Sequence, residues 1–152
     1  MKYITLSNGK QTIVDDEDFE ELSKYRWHFT GGYAFRHKNN KKEYIHRILN
    51  ETPHGLVTDH INRNKLDNRK SNLRSATVSQ NGANAKKKDG CRSKYKGVTW
   101  HKPNSTWKAR ITVKGKEIYL GYYKEEVDAG VAYAQAVAYY YDEFARPVTS
   151  GF

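Results

Sequence analysis

Thiols and acidic side chains are both scarce in this chain. Cys91 is the single cysteine, which excludes an internal disulfide and the paired Cys-x-x-Cys ligands of a structural zinc site. No apolar run approaches the roughly 18 residues that a membrane helix needs, and no signal peptide is recognisable at the start. We therefore expect a reduced, intracellular, soluble protein that does not insert into a membrane.

The charge balance points to a polyanionic partner. Aspartate and glutamate total 17 against 27 lysines and arginines, which gives a formal net charge of +10. Nucleic acid and an acidic membrane surface are the two candidates for that partner. The 152 residues fit one ordinary domain or two small ones. The 12 Tyr and 3 Trp, beside one Met, favour two small cores built on aromatic rings.

The first 49 residues predict a strand-rich platform. Residues 3–14 indicate two strands around Asn8-Gly9, a strong signal for a two-residue hairpin turn. Residues 15–24 predict a short helix, and residues 27–36 a second hairpin around two glycines. A third apolar run, residues 44–49, contains His46 and Arg47 and ends the platform. Either side chain could lie near a scissile phosphate, and for His46 packing within the platform is the alternative.

The stretch from residue 59 to residue 81 carries the chemistry. It opens with Asp59-His60, at the end of a strand that starts at Leu56. A carboxylate can ligate a hard cation while a neighbouring imidazole takes a proton from water. A polar loop follows, and Ser71 can cap a helix that starts at Asn72, in an overall strand-loop-strand-helix order. The alternative is that this asparagine-rich stretch is only a capped turn and helix.

The order DHI, then SNLR, then a further asparagine resembles the HNH nucleases of phage and intron homing endonucleases. The resemblance implies a ββα-metal module of the His-Asn-Asn type. It assigns the general base to His60, the loop-fixing amide to Asn72, and the metal ligands to Asp59 and Asn81. Gln80 is the alternative ligand if the helix register differs by one. Oxygen donors of this kind suit Mg²⁺ or Mn²⁺.

A basic stretch separates this module from the second half of the chain. Residues 84–94 have no apolar periodicity and contain Lys86, Lys87 and Lys88. We interpret them as a flexible linker. The three lysines are either a solvated tether or an arm that tracks DNA phosphates.

The second half alternates apolar and polar residues. Residues 95–123 predict a three-stranded antiparallel meander with breaks near residues 102–106 and 115–116. Residues 125–144 predict one helix, with apolar residues three or four apart. Alternate residues of a strand share a face, so Lys108, Arg110 and Thr112 should point together, away from the core.

The segments KYKGVTW, WKARI and GKEIYLGYY, followed by an alanine-rich helix, resemble the APETALA-two/ethylene-response-factor DNA-binding domain. That resemblance implies a three-stranded antiparallel sheet, backed by one helix, that enters the DNA major groove. The positions implied to face DNA are Lys96, Thr99, His101, Arg110, Thr112, Glu117 and Tyr119. Three of them carry Thr or Glu where the family has arginine, so the family's sequence preference is not transferred.

The sequence thus predicts an α+β protein with an HNH nuclease domain at 1–83, a linker at 84–94 and a DNA-binding domain at 95–152. We expect a monomeric, metal-dependent endonuclease that nicks double-stranded DNA in the cytoplasm of a bacterial or phage-infected cell. The alternative is a non-catalytic DNA-binding regulator that retains a degenerate HNH fold. A third hypothesis, an RNA-binding ribosome-associated protein, would depend on charge and aromatic content alone.

Overall fold

The computed structural model describes residues 1–85 and 90–144. The described chain is a mixed α/β structure with several small sheets. It forms two compact units, Met1–Val78 and Ser79–Phe152. Within the described residues, none of the helices is long and apolar enough to cross a bilayer. The predicted basic run Lys86, Lys87 and Lys88 lies outside the described residues.

The first unit begins with the predicted hairpin and helix. Strands β1 (Lys2–Thr5) and β2 (Gln11–Val14) pair antiparallel, and Gly9 between them has a φ of 80°. Helix α1 (Asp16–Ser23) has three acidic residues in its first turn, where the positive end of the helix dipole favours them. Its buried residue Leu22 faces the core.

A three-stranded sheet follows. Strands β3 (His28–Thr30), β4 (Tyr33–Lys38) and β5 (Lys41–Tyr44) pair antiparallel in chain order. Asn39 and Asn40 take positive φ values of 50° and 58° in the turn between β4 and β5, a conformation that asparagine tolerates. The core of this unit consists of seven buried residues: Ile4, Leu6, Val14, Leu22, Trp27, Ala34 and Ile45.

The apolar run at residues 44–49, whose element type the sequence left open, forms a helix. Helix α2 spans Ile45–Leu49. Ile45 and His46 are both buried, whereas the next two residues, Arg47 and Ile48, are exposed. Two adjacent buried residues followed by two exposed ones fit a helical turn, because a strand would alternate them.

The segment after Asp59-His60 follows the predicted order of elements, with one correction. Strand β6 (Val57–His60) pairs antiparallel with strand β7 (Leu73–Ala76). The prediction of a helix that starts at Asn72 is wrong: Lys70–Asn72 is a single 3-10 turn, and β7 follows directly. Helix α3 (Val78–Asn84) begins only after β7, since pairing with β6 keeps the residues of β7 extended.

The second unit contains a meander and a helix. Strands β8 (Val98–His101), β9 (Thr106–Val113) and β10 (Lys116–Tyr123) form an antiparallel sheet in the order β10-β9-β8. Helix α4 (Glu126–Tyr141) packs on it, and its buried Ala129 joins Val98 and Ala109 in the core. Gly130 lies so close to the Tyr95 ring that a Cβ there would come within 2.6 Å of it, so the helix needs a glycine at this position.

Candidate nuclease site

The Asp59-His60 pair ends a buried strand. Asp59 is 3% exposed and His60 5% exposed. In the register of β6 and β7, Asp59 stands opposite Arg74 and His60 opposite Leu73. The two candidate reactive side chains are therefore enclosed by protein, where electrostatic interactions are stronger than in water.

Arg74 forms an ion pair with Asp59. The Nε and Nη2 atoms of Arg74 both lie 2.9 Å from Oδ2 of the carboxylate. The pair compensates the cost of burying the Asp59 charge, and it holds the carboxylate in one orientation. The motif contains Arg74, but sequence spacing alone did not single it out as the partner of Asp59.

His60 is hydrogen-bonded to a loop residue, which is in turn hydrogen-bonded to β2. Its Nε2 lies 3.1 Å from Oδ1 of Asn68, and Nδ2 of Asn68 donates to Oγ1 of Thr12 at 2.7 Å. Burial lowers the pKa of His60 below its usual value of 6.5, although the Asn68 hydrogen bond opposes that shift. The ring is therefore mainly neutral at pH 7, the form that accepts a proton. The sequence did not identify Thr12 or Asn68 as residues that hold His60.

Asn72 connects the two ends of the loop. Its Oδ1 accepts from the backbone N–H of Asn62 at 2.9 Å, and its Nδ2 donates to the backbone carbonyl of Asp67 at 2.8 Å. The backbone carbonyl of Asn72 also accepts from the N–H of Ile61 at 2.9 Å. These bonds close the loop directly after His60. The part that Asn72 takes in catalysis stays a prediction.

The loop has its own internal support. The Asp67 carboxylate accepts from Arg69 at 2.8 and 2.6 Å and from Nδ2 of Asn62 at 2.8 Å. These hydrogen bonds, the one from Arg69 above all, lower the pKa of Asp67. Asn62 and Asn64 each accept from a backbone N–H two residues ahead, the usual asparagine turn. Asn62 and Asn64 thus form turns within the loop.

His46 lies beside His60, closer to the site than its sequence context indicated. The two ring centroids are 5.3 Å apart, and the Tyr33 ring lies 4.8 Å from His46. His46 is 8% exposed, and its Nδ1 has no hydrogen-bond partner among the described residues. Burial, with the positive neighbours around it, lowers the pKa of His46 to about 3. Arg47, the next residue, is exposed, and its contact with DNA stays a prediction.

The donors expected to hold a cation have suitable chemistry. Asp59 offers a carboxylate, and Asn81, half-buried on α3, offers an amide oxygen. Mg²⁺ and Mn²⁺ prefer such oxygen donors. Within residues 1–85 and 90–144 no group of three or more His, Cys, Asp or Glu side chains is arranged to hold a metal ion, so a resident ion would also need phosphate oxygens or water. Gln80, the alternative ligand, is half-buried on the same helix.

The sheet of the second unit exposes a polar face. On β9, Arg110 and Thr112 are exposed while Ala109 and Ile111 are buried. The Lys108 ammonium lies 5.7 Å from the centroid of the Tyr119 ring. Arg110 forms an ion pair with Glu117 at 2.5 Å, which offsets part of its charge. Thr99, on β8, is exposed as well.

Two positions expected to face DNA have contacts inside the second unit. The Lys96 ammonium donates to the backbone carbonyls of Gly82 and, at 3.0 Å, of Ala85, near the carboxyl end of α3, and burial lowers its pKa. A cation there stabilises the negative end of the helix. The His101 ring lies 4.8 Å from the Tyr122 ring. DNA contacts by these residues stay predictions.

The order of a buried Asp-His pair at the end of a strand, a loop, a second strand and a helix is compatible with an HNH domain. Residues 43–83 match the family described as HNH endonuclease. A protein of Acanthamoeba polyphaga mimivirus, described as an uncharacterized HNH endonuclease, is 30% identical over 154 residues, which cover 95% of this chain and 79% of that protein. The chain therefore belongs to the HNH endonuclease family.

A second relative matches a shorter part. Protein 3.8 of Escherichia phage T7 is 35% identical over 65 residues, which cover 43% of this chain and 54% of that protein. No solved structure matches the chain. Membership of the family suggests a nuclease whose substrate is DNA. The likeness of the second unit to the APETALA-two domain stays a prediction.

Proposed function

We propose that this chain is a metal-dependent endonuclease that hydrolyses one phosphodiester bond of duplex DNA and so nicks it. The observation that carries the proposal is the buried Asp59-His60 pair at the end of β6, next to a loop that Asn72 closes. A single such site in the part of the chain that the structure describes favours a nick over a double-strand break. We also propose that the enzyme acts as a monomer.

In this proposal His60 is the general base. Its neutral imidazole takes a proton from the water that attacks phosphorus. Asn72 keeps the loop closed so that the His60 ring is held in place. Asp59 and Asn81 would hold Mg²⁺ or Mn²⁺, and the ion, when bound, would stabilise the charge on the phosphate and on the departing 3′ oxygen.

We propose that the second unit, with the linker before it, docks the enzyme on DNA. The sheet face with exposed Arg110, Thr112 and Tyr119 supports this assignment, together with half-buried Lys108 and the net charge of +10. Phosphate contacts supply affinity, and base contacts set the register. Viral relatives support a phage or mobile-element origin and a role in homing.

One observation favours the alternative, a non-catalytic DNA-binding regulator. The guanidinium of Arg74 already neutralises Asp59, the carboxylate that should ligate the metal. An HNH domain that has lost its catalytic activity would be stabilised by this ion pair without any metal. The two hypotheses differ in whether Mg²⁺ or Mn²⁺ produces cleavage.

A plasmid-relaxation assay tests the proposal. Wild type, Asp59→Ala and His60→Ala are each incubated with supercoiled plasmid that carries genomic inserts, in Mg²⁺, in Mn²⁺ and in EDTA. We expect nicked circles only from wild type with metal, and a DNA dissociation constant for both variants within about threefold of wild type, since neither residue is assigned to binding. Normal cleavage by His60→Ala would refute the base assignment. Tight binding without any cleavage would favour the regulator.

A further inference from the structure

A chain of buried hydrogen bonds runs from the first hairpin to His60. Thr12 on β2 and Asn68 in the loop are each 0% exposed. Oγ1 of Thr12 donates to the backbone carbonyl of Leu66 at 2.8 Å, and Nδ2 of Asn68 donates to Oγ1 at 2.7 Å. Oδ1 of Asn68 then lies 3.1 Å from Nε2 of His60. Thr12 lies well outside residues 43–83, which match the family.

The protons available on these groups determine which atom donates in each hydrogen bond of the series. The Leu66 carbonyl can only accept, so the single hydroxyl proton of Thr12 goes to it. Oγ1 of Thr12 must then accept, and only the amide nitrogen of Asn68 can donate to it. The amide oxygen of Asn68 is therefore the atom that faces His60. Since that oxygen can only accept, Nε2 of His60 carries a proton.

Backbone hydrogen bonds hold the loop in register with β2. The N–H of Asn68 donates to the carbonyl of Ile13 at 2.8 Å, and the N–H of Ile13 donates to the carbonyl of Leu66 at 2.8 Å. Ile13 and Asp67 form a parallel bridge between these two bonds. The loop is thus fixed to β2 on both sides of Asp67, which keeps Thr12 and Asn68 opposite each other.

We propose that Thr12 and Asn68 are positioning residues that keep the proton of the neutral His60 ring on Nε2, so that Nδ1 is the nitrogen that takes the proton from water. The role of Nδ1 rests on the proposed nuclease function. The location of the proton on Nε2 follows from the hydrogen bonds alone.

Thr12 matters because the side-chain amide of Asn68 can flip, which exchanges the positions of its oxygen and its nitrogen. Without the hydroxyl, nothing requires Nδ2 of Asn68 to face β2, and a turned amide would donate to Nε2. The ring would then carry its proton on Nδ1, and that nitrogen could no longer accept one. Loss of the group that holds a catalytic histidine in the correct tautomer is known to remove most activity in other enzymes.

The test is the tautomer of His60 in the full chain, measured by two-dimensional ¹H–¹⁵N NMR of the histidine ring nitrogens above the pKa. The chain has six histidines, and the spectrum of His60→Gln identifies the signals of His60. We expect a protonated Nε2 and an unprotonated Nδ1 in wild type. A proton on Nδ1 in wild type would overturn the proposal without any variant of Thr12.

Two substitutions of Thr12 form a matched pair. Thr12→Val keeps the shape of the side chain but removes the hydroxyl, and we expect signals of both tautomers. Thr12→Ser keeps the hydroxyl, and we expect the wild-type tautomer to return. If Thr12→Val kept the single wild-type tautomer, Thr12 would have no positioning role. If it failed to fold, Thr12→Ala would take its place, and a single wild-type tautomer there would overturn the role equally.

Cleavage kinetics provide the second readout. We expect Thr12→Val to lower kcat severalfold with KM unchanged, in proportion to the fraction of His60 rings that carry their proton on Nδ1, and Thr12→Ser to restore it. If wild type cut no DNA but showed the Nε2 proton, the nuclease function would be refuted and the tautomer assignment would stand. If wild type cut DNA but carried the proton on Nδ1, the tautomer assignment would be refuted and the nuclease function would stand.

Discussion

His46 should make the first unit sensitive to acid. Its ring is 8% exposed and lies between Tyr33 and His60, and its pKa is lowered to about 3 from the usual 6.5. Because the pKa of His46 is lower in the folded chain than in the unfolded chain, at a pH between the two values only the unfolded chain binds the proton. Stability is therefore complete above about pH 6.5 and is lost as the pH falls toward 3. His60, whose pKa is also lowered, contributes with the same sign.

The size of the effect follows from the two pKa values. Between about pH 7 and about pH 5 the unfolded chain takes up the proton while folded His46 stays neutral, which costs roughly 2 kcal/mol of unfolding free energy. Such a loss is a large fraction of the stability of a small domain. His46→Phe keeps an aromatic ring against Tyr33 and removes the titrating group, so we expect the loss over this interval to shrink by about 2 kcal/mol.

Urea unfolding at several pH values measures this difference. The indole N–H of buried Trp27, which donates to the carbonyl of Leu22 at 2.7 Å, gives an NMR signal that reports on the first unit alone. His54→Gln is the matched control, because His54 is an exposed histidine in the same unit and its replacement should leave the wild-type slope. An equal pH slope in wild type and His46→Phe would refute the reasoning.

Two further predictions concern charge. Arg74→Met should lower the unfolding free energy by about 3–5 kcal/mol, because Asp59 loses a buried ionic partner. If Asp59 ligates the cation, Mg²⁺ should raise the melting temperature of this variant more than that of wild type, and an equal rise, measured by calorimetry beside Asp59→Asn, would contradict the ligand assignment. Replacing Lys108 and Arg110 by glutamine should weaken DNA binding and reduce the slope of log affinity against log salt by about one for each phosphate that the protein no longer neutralises. An unchanged slope in filter-binding assays across salt concentrations would remove this face from the interface.

Local sequence signals predicted most of the elements. The Asn8-Gly9 turn, the alternation along β9 and the three- or four-residue spacing of α4 each depend on neighbours within a few positions, and such patterns reflect the geometry of one strand or helix. The Asp59-His60 pair and the SNLR segment likewise indicated the segment that matches the HNH family, because their order along the chain is local. The same signals failed at Asn72, where a capping serine indicated a helix but pairing with β6 makes the next residues a strand.

Only the tertiary structure decided which side chains surround the Asp59-His60 pair. Arg74 reaches Asp59 through a strand register that closes a long loop, and the composition of the loop does not predict that register. Thr12 and Asn68 are 56 residues apart in the chain, so no periodicity connects them. His46 on α2 lies beside His60 on β6, a contact between residues 14 positions apart in the chain. Residue types along the sequence thus supplied the chemistry of the site, whereas the orientation and protonation of its histidine depend on contacts that exist only after folding.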